Sequence, residues 1–217
     1  MRTITSLLLT LLFVTLLSCG NQEKSADSQA SMPVPKTDLH SAVVTDDFEI
    51  IQQHIKAGSD LNVLEPSRAS TPLITAAALD KTEAARILID AGADLNYKNA
   101  DGSTALITAA AFGRPSVAAM LINAGADLNI QNNEGATALH TAAFLCRLEI
   151  VKALLVKGAD RTLRNKTGQT AYETVAGPFE DIKFIYDAVG AGLRPLGIIL
   201  DYDYIKTTRP KIAQILK

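Results

Sequence analysis

Three stretches of this chain align without a gap at a spacing of 33 residues: Thr71-Pro72-Leu73-Ile74-Thr75-Ala76-Ala77, Thr104-Ala105-Leu106-Ile107-Thr108-Ala109-Ala110 and Thr137-Ala138-Leu139-His140-Thr141-Ala142-Ala143. Each is followed by an apolar segment that ends in Ala91-Gly92-Ala93-Asp94-Leu95-Asn96, Ala124-Gly125-Ala126-Asp127-Leu128-Asn129 or Lys157-Gly158-Ala159-Asp160. A period of this length describes a unit too small to bury its own apolar face, so copies must stack into a solenoid. An earlier copy starts at Asp38-Leu39-His40-Ser41-Ala42 and closes with Ala57-Gly58-Ser59-Asp60-Leu61-Asn62, one residue out of step because the loop through Pro66 is longer. A fifth begins at Thr170-Ala171-Tyr172 and decays.

Each recurring residue has a mechanical reason. The Thr hydroxyls at 71, 104 and 137 are placed to cap a first helix. Pro72 suits the first helical turn, where its missing N–H has no partner to lose. The Ala pairs allow close packing between neighbouring repeats, and Ile87-Leu88, Met120-Leu121 and Leu154-Leu155 fill the second helices. Gly92, Gly125 and Gly158 follow those helices, where glycine adopts a left-handed backbone most readily. Gly102, Gly135 and Gly168 serve the turn before the next Thr.

These motifs closely resemble the ankyrin repeat, over roughly residues 37–192. The resemblance implies an all-α solenoid of about five helix-turn-helix repeats joined by short hairpin-like turns. The repeats occupy residues 37–177 (about 37–70, 71–103, 104–136 and 137–169, with a degenerate fifth from 170). Residues 178–217 follow as a C-terminal helical cap over the last repeat. Within it, Gly177-Pro178 ends the pattern, residues 179–188 form an amphipathic helix, 193–199 a connector, and 201–206 and 210–216 one or two short helices.

The resemblance also implies a protein partner, bound by the turn tips and the exposed side of the first helices. Carried onto this chain, the tips are Lys98, Asp101 and Ser103, then Gln131, Asn133 and Glu134, then Arg164, Lys166 and Gln169. The first-helix groove positions are Leu79, Phe112, Phe144 and Leu145. Leu79, Phe112 and Leu145 form an apolar stripe beneath polar tips. Contiguous exposed apolar residues mark an interaction surface, and aromatic anchors ringed by polar groups suit a binding hot spot. The same three side chains also suit a satellite core tucked between repeats, and both readings stand at this point.

The N-terminus carries an address. Arg2 precedes a short apolar run over residues 4–17, too short for the ~20 residues that span a bilayer. It ends in Leu16-Leu17-Ser18-Cys19-Gly20, which resembles the bacterial lipobox. The Ala-x-Ala of an ordinary cleaved signal is missing. The resemblance implies a signal peptide over residues 1–18, and Cys19 as the lipidated (palmitate-bearing) mature N-terminus. It places the chain in the cell envelope, on the periplasmic face of the outer membrane, since no Asp follows the cysteine. Residues 19–36 are polar and rich in Ser, Gln and Pro, a tether with too little apolar surface to fold. Fully extended, it reaches roughly 55 Å.

Other functions lose support. The formal charge of -2 and the absence of a basic stripe exclude nucleic-acid binding by phosphate neutralisation. No catalytic cluster, metal-ligand spacing, phosphate loop or cofactor motif appears. His40 and His140 share one repeat position three repeats apart, so they cannot form a relay. His54 is expected on the exposed side of a second helix. Asp60, Asp94, Asp127 and Asp160 recur in Gly-Ala/Ser-Asp turns and pair with local backbone. Cys146 stands where Gly113 stands one repeat earlier, so it must adopt a left-handed backbone. It is read as drift, or as a redox-sensing thiol or a disulfide partner in trans. The expectation is a monomeric, non-enzymatic, membrane-anchored binding module that scaffolds, protects or inhibits a protein partner. The alternatives are an envelope stress or immunity factor that neutralises an exported enzyme or toxin, and, remotely, an enzyme built on the C-terminal segment.

Overall fold

A computed structural model describes residues 33–217 except residue 197. The leader, Cys19 and most of the tether lie outside the described residues. Among those described there are ten α-helices and no strand. Four helix pairs come first: α1 (Leu39–Thr45) with α2 (Phe48–Lys56), α3 (Pro72–Leu79) with α4 (Thr82–Asp90), α5 (Ala105–Phe112) with α6 (Pro115–Asn123), and α7 (Ala138–Phe144) with α8 (Leu148–Val156). Two longer helices follow, α9 (Phe179–Leu193) and α10 (Tyr202–Leu216), separated by a 3-10 turn at Arg194–Leu196.

The first helices stack on one another as one layer and the second helices as another. The short first helices are held by their caps. The hydroxyls of Thr71, Thr104 and Thr137 accept from the amides of Ile74, Ile107 and His140, each satisfying an N–H that the helix leaves unpaired. In the first repeat Asp38 takes this role, with Ser41 as donor. The Ala pairs 76-77, 109-110 and 142-143 are completely buried, so the backbones of successive first helices approach closely. Leu88, Leu121 and Leu154 are equally buried beneath the second helices, each stabilising the stack by about 2 kcal/mol.

Neighbouring repeats are also stitched by side chains. The Asn62 amide oxygen accepts from the backbone N–H of Asp94, Asn96 from that of Asp127, and Asn129 from that of Asp160, all at 2.9 Å. Each Asp in turn accepts from the amide two residues on: Asp60 from Asn62, Asp94 from Asn96, Asp127 from Asn129 and Asp160 from Thr162. The four aligned carboxylates are thus consumed in local turns. The asparagine ladder stops where Thr162 replaces the next Asn.

The end of the array departs from the expected elements. Residues 171–177 make only turns. α9 runs five residues beyond 188, and α10 is one continuous helix with Pro210 inside it. Pro210 removes one intrahelical hydrogen bond, but it and Lys206, whose carbonyl loses that partner, are solvent-exposed, while Ile205, Thr208, Arg209, Ile212 and Leu216 bury the opposite face. α10 packs on α7 and α8. No helix among the described residues is long and apolar enough to cross a membrane.

Candidate functional site

The turns between repeats project side by side as fingers. Each is folded around an asparagine: Asn99 accepts from the amides of Asp101 and Ser103, Asn132 from those of Glu134 and Ala136, and Asn165 from those of Thr167 and Gln169. In the longer first loop Glu65 does this work, accepting from Ser67 and Arg68. Those bonds, led by the Ser67 hydroxyl, lower its pKa to about 2. Adjacent fingers touch through backbone, Asn133 N–H donating to Asp101 O and Lys166 N–H to Glu134 O, both at 3.0 Å. Gly102 and Gly135 are required at these contacts. A Cβ would stand 2.7 Å from the backbone N of Asn133 and 2.8 Å from that of Lys166, and φ is +71° at both.

Several tip residues expected to face a partner therefore serve the fingers themselves. The Lys98 ammonium donates to Gln131 O, the Gln131 amide to Gly135 O and Arg164 O, and the Asn133 amide to Ala100 O. Arg164 pairs with Glu173 at 2.8 Å, and the Gln169 side chain accepts from Thr167 while its carbonyl takes His140 Nε2. The side chains of Glu134 and Lys166 remain exposed. Tips that do no packing were expected, but hydrogen bonding across neighbouring fingers engages most of them.

The apolar stripe is broken at the fourth repeat. Leu79 is 47% exposed and Phe112 half-buried, but Leu145 is only 6% exposed. Leu145 is a core residue, so its place in an exposed stripe is corrected. The C-terminal segment lies against both chain neighbours of Leu145. One residue before it, the Phe144 ring lies under Tyr186, and one residue after it, Cys146 Sγ lies 3.8 Å from Ile205 O on α10. Phe144, stacked under that ring, is half-buried.

What remains open is a cavity of ≈ 650 Å³ on the first-helix side of the second and third repeats. Its apolar floor includes Leu79 and Phe112, its finger side Arg68, Asp101 and Ser103, and its far rim Arg114. Arg68 and Asp101 pair at 3.3 Å, largely in solvent, where such a pair adds little stability. Gly192, Leu193 and Pro195, from the end of α9 and the turn after it, form a further wall. Four of the expected partner residues thus share one concavity. Arg68, Arg114, Leu193 and Pro195 were not anticipated. Only Arg114 carried a signal, a cation recurring with Lys81 and Arg147 at one repeat position.

The histidines and the cysteine are structural in their bonding. His140 Nδ1 lies 2.9 Å from the Thr137 hydroxyl and accepts from the Thr137 amide, while Nε2 donates to Gln169 O. His40 Nε2 donates to Val63 O. His54 was expected to be exposed, but it is 5% exposed. Its ring is drawn inward by Thr37 O at 2.8 Å and the Ser59 hydroxyl at 3.0 Å. Cys146 adopts the left-handed backbone, φ 56°, and is fully buried. Burial pushes its thiol up to about 11. A redox-sensing thiol needs exposure and an accessible thiolate, so that alternative is removed. Among the described residues no group of three His, Cys, Asp or Glu side chains is arranged to hold a metal ion.

Residues 39–132 match the family model described as ankyrin repeats (3 copies), and residues 121–175 match the one described as ankyrin repeats (many copies). Between them the two matches span residues 39–175, more than half of the chain. No curated protein matches the chain.

Proposed function

The chain belongs to the ankyrin-repeat family, and from that premise we propose that it is a lipid-anchored binding module of the bacterial cell envelope that holds a protein partner in the concavity of its second and third repeats. Repeats of this family form protein-interaction modules. The observation that carries the finer reading is the ≈ 650 Å³ cavity, with Leu79 and Phe112 in its floor and Asp101, Ser103 and Arg68 on its finger side. An apolar side chain seated there gains about 25 cal/mol for each Å² taken out of water, and the polar finger side fixes its orientation. The stacked repeats hold both sides in place, so little ordering is lost on binding.

Support for anchoring comes from sequence: the apolar run over residues 4–17 ending in Leu16-Leu17-Ser18-Cys19, with a polar tether behind it. Acyl chains on Cys19 add roughly 0.8 kcal/mol per buried methylene.

Paired capture tests the reading. The wild-type chain and Leu79→Asp are each recovered from native envelopes and their bound proteins compared. The expected result is a protein retained by the wild type and lost from Leu79→Asp at unchanged melting temperature. Identical recovery from both chains rejects the concave site. Cys19→Ala is expected to abolish palmitate labelling and release the chain from membranes, and retention on the membrane rejects the anchor.

A further inference from the structure

At the turn between the first and second helix of each repeat, charges from successive repeats form a ladder. The residue that closes the first helix in the left-handed conformation is Asp46 in the first repeat, Asp80 in the second, Gly113 in the third and Cys146 in the fourth. The next position carries a cation in repeats two to four: Lys81, Arg114 and Arg147. Each cation reaches back one repeat. Lys81 Nζ lies 2.5 Å from the Asp46 carboxylate, and Arg114 lies 3.7 Å from that of Asp80. The acid for Arg147 belongs at position 113, which is glycine.

The guanidinium has moved into the volume that the side chain leaves free. A Cβ built on Gly113 would stand 2.8 Å from both Cζ and Nε of Arg147. Among the described residues its one hydrogen bond is a long one, 3.4 Å from Nη2 to Ala111 O. The Nε atoms of Arg147 and Arg114 are both buried without an acceptor among the described residues. A guanidinium stays charged at any ordinary pH, and buried donors without acceptors are rare in folded proteins. A cavity of ≈ 210 Å³ adjoins, lined by Gly113, Pro115, Cys146, Arg147 and Tyr204 among others. The carboxylate on its border, Glu149, is largely exposed and pairs with Lys152 at 3.1 Å, not with Arg147.

We propose that this unfilled rung is a carboxylate-binding site, and that an aspartate or glutamate side chain of the protein partner fills it. A carboxylate matches the flat fork of a guanidinium with two parallel bonds. Here it meets Arg147, with Arg114 one rung away and itself short of an acceptor. Arg114 also lines the concave cavity, so a partner with an apolar anchor there and an acid just beyond it engages both. The source of the carboxylate rests on the concave-face reading, whereas carboxylate binding itself does not.

The test uses acetate as probe on the full chain, with the Nε–H signals of Arg147 and Arg114 followed by nitrogen NMR at neutral pH and constant ionic strength. Acetate is expected to move both signals saturably, and neutral acetamide to move neither. Gly113→Asp supplies the missing acid internally, as Asp80 does one repeat earlier, and is expected to weaken the acetate effect at least about tenfold. Arg147→Met keeps the apolar stem and is expected to abolish the shift at Arg114. A non-saturating response, or the same response in Gly113→Asp, overturns the site. Saturable acetate binding with partner capture undiminished in Gly113→Asp overturns the partner's acid as the ligand, even where the Leu79→Asp comparison upholds the concave face.

Discussion

The ring of Tyr186 lies flat on that of Phe144, centroids 4.6 Å apart and planes 5° from parallel, and the Tyr186 hydroxyl donates to the Phe144 carbonyl oxygen. A helix of the C-terminal segment is thereby joined to the last first-helix of the repeats by a stacked pair and a hydrogen bond at one residue. Arg209, 2% exposed, completes the join. Its guanidinium donates to the Tyr186 hydroxyl at 2.9 Å and to the carbonyls of Thr174 and Gly177. It has no carboxylate partner among the described residues, and these neutral oxygens take its place.

Tyr186→Phe keeps the stack and removes the hydroxyl. Phe144 O and one Arg209 donor then lose a buried partner, which costs about 1–3 kcal/mol. The expected melting temperature falls by roughly 2–12 °C for a chain of this size. Tyr186→Ala also opens a cavity and costs about 3–5 kcal/mol. Hydrogen exchange is expected to rise over residues 179–193 and in α10 while α3 to α6 keep their protection, because the repeats stack on their own neighbours. Uniform loss of protection contradicts this division.

Asn96→Ala removes one rung of the asparagine ladder and leaves the Asp127 amide unpaired. A destabilisation of about 1 kcal/mol is expected, read as a lower denaturation midpoint at unchanged slope. The double variant Asn62→Ala/Asn129→Ala is expected to be nearly additive, since the two rungs share no partner.

The repeats were legible because their residues act locally: Thr71 caps its own helix, Gly92 ends its neighbour's, and Asp94 closes its own turn. The surface was less legible because its state depends on groups far along the chain. Leu145 and Phe112 occupy one repeat position, yet only Leu145 is covered, and what covers its surroundings begins some 35 residues later at Phe179. His54 turns inward for a carbonyl that precedes the first helix. Lys98 and Gln131 carry the polarity of a contact surface, but the next finger takes their hydrogen bonds. The continuous α10 was hidden by Pro210, whose local cost is outweighed by the packing of Ile205, Ile212 and Leu216.

The buried thiol gives a test of rigidity at the joint between repeats and C-terminal segment. With Cys19→Ser in place, Cys146 is the remaining cysteine. It is fully buried, with its pKa pushed up to about 11 by burial. Reaction with a disulfide reagent at pH 8 is expected to be at least ~100-fold slower than in denaturant, since the thiolate is the reacting form. Tyr186→Ala is expected to accelerate it, because loss of the stack frees the segment that shields the sulfur. Equal rates in the two chains locate the shielding elsewhere.

His140 gives the pH dependence a sign. Burial lowers its pKa below the ordinary imidazole value by disfavouring the charged ring, and the hydrogen bond to Gln169 O opposes this only in part. The unfolded chain takes up a proton near pH 6.5, and the folded chain only below that. Between the two values the unfolded state binds more protons, so stability falls as pH drops through about 6.5 and levels off below the folded pKa. Melting temperature is therefore expected to decline from pH 7 toward pH 5. His140→Ile places there the residue that the second and third repeats carry at Ile74 and Ile107, each 3% exposed. It is expected to cost about 1 kcal/mol at pH 7 through the lost hydrogen bonds and to flatten the slope. A slope unchanged in His140→Ile assigns the pH dependence to another group.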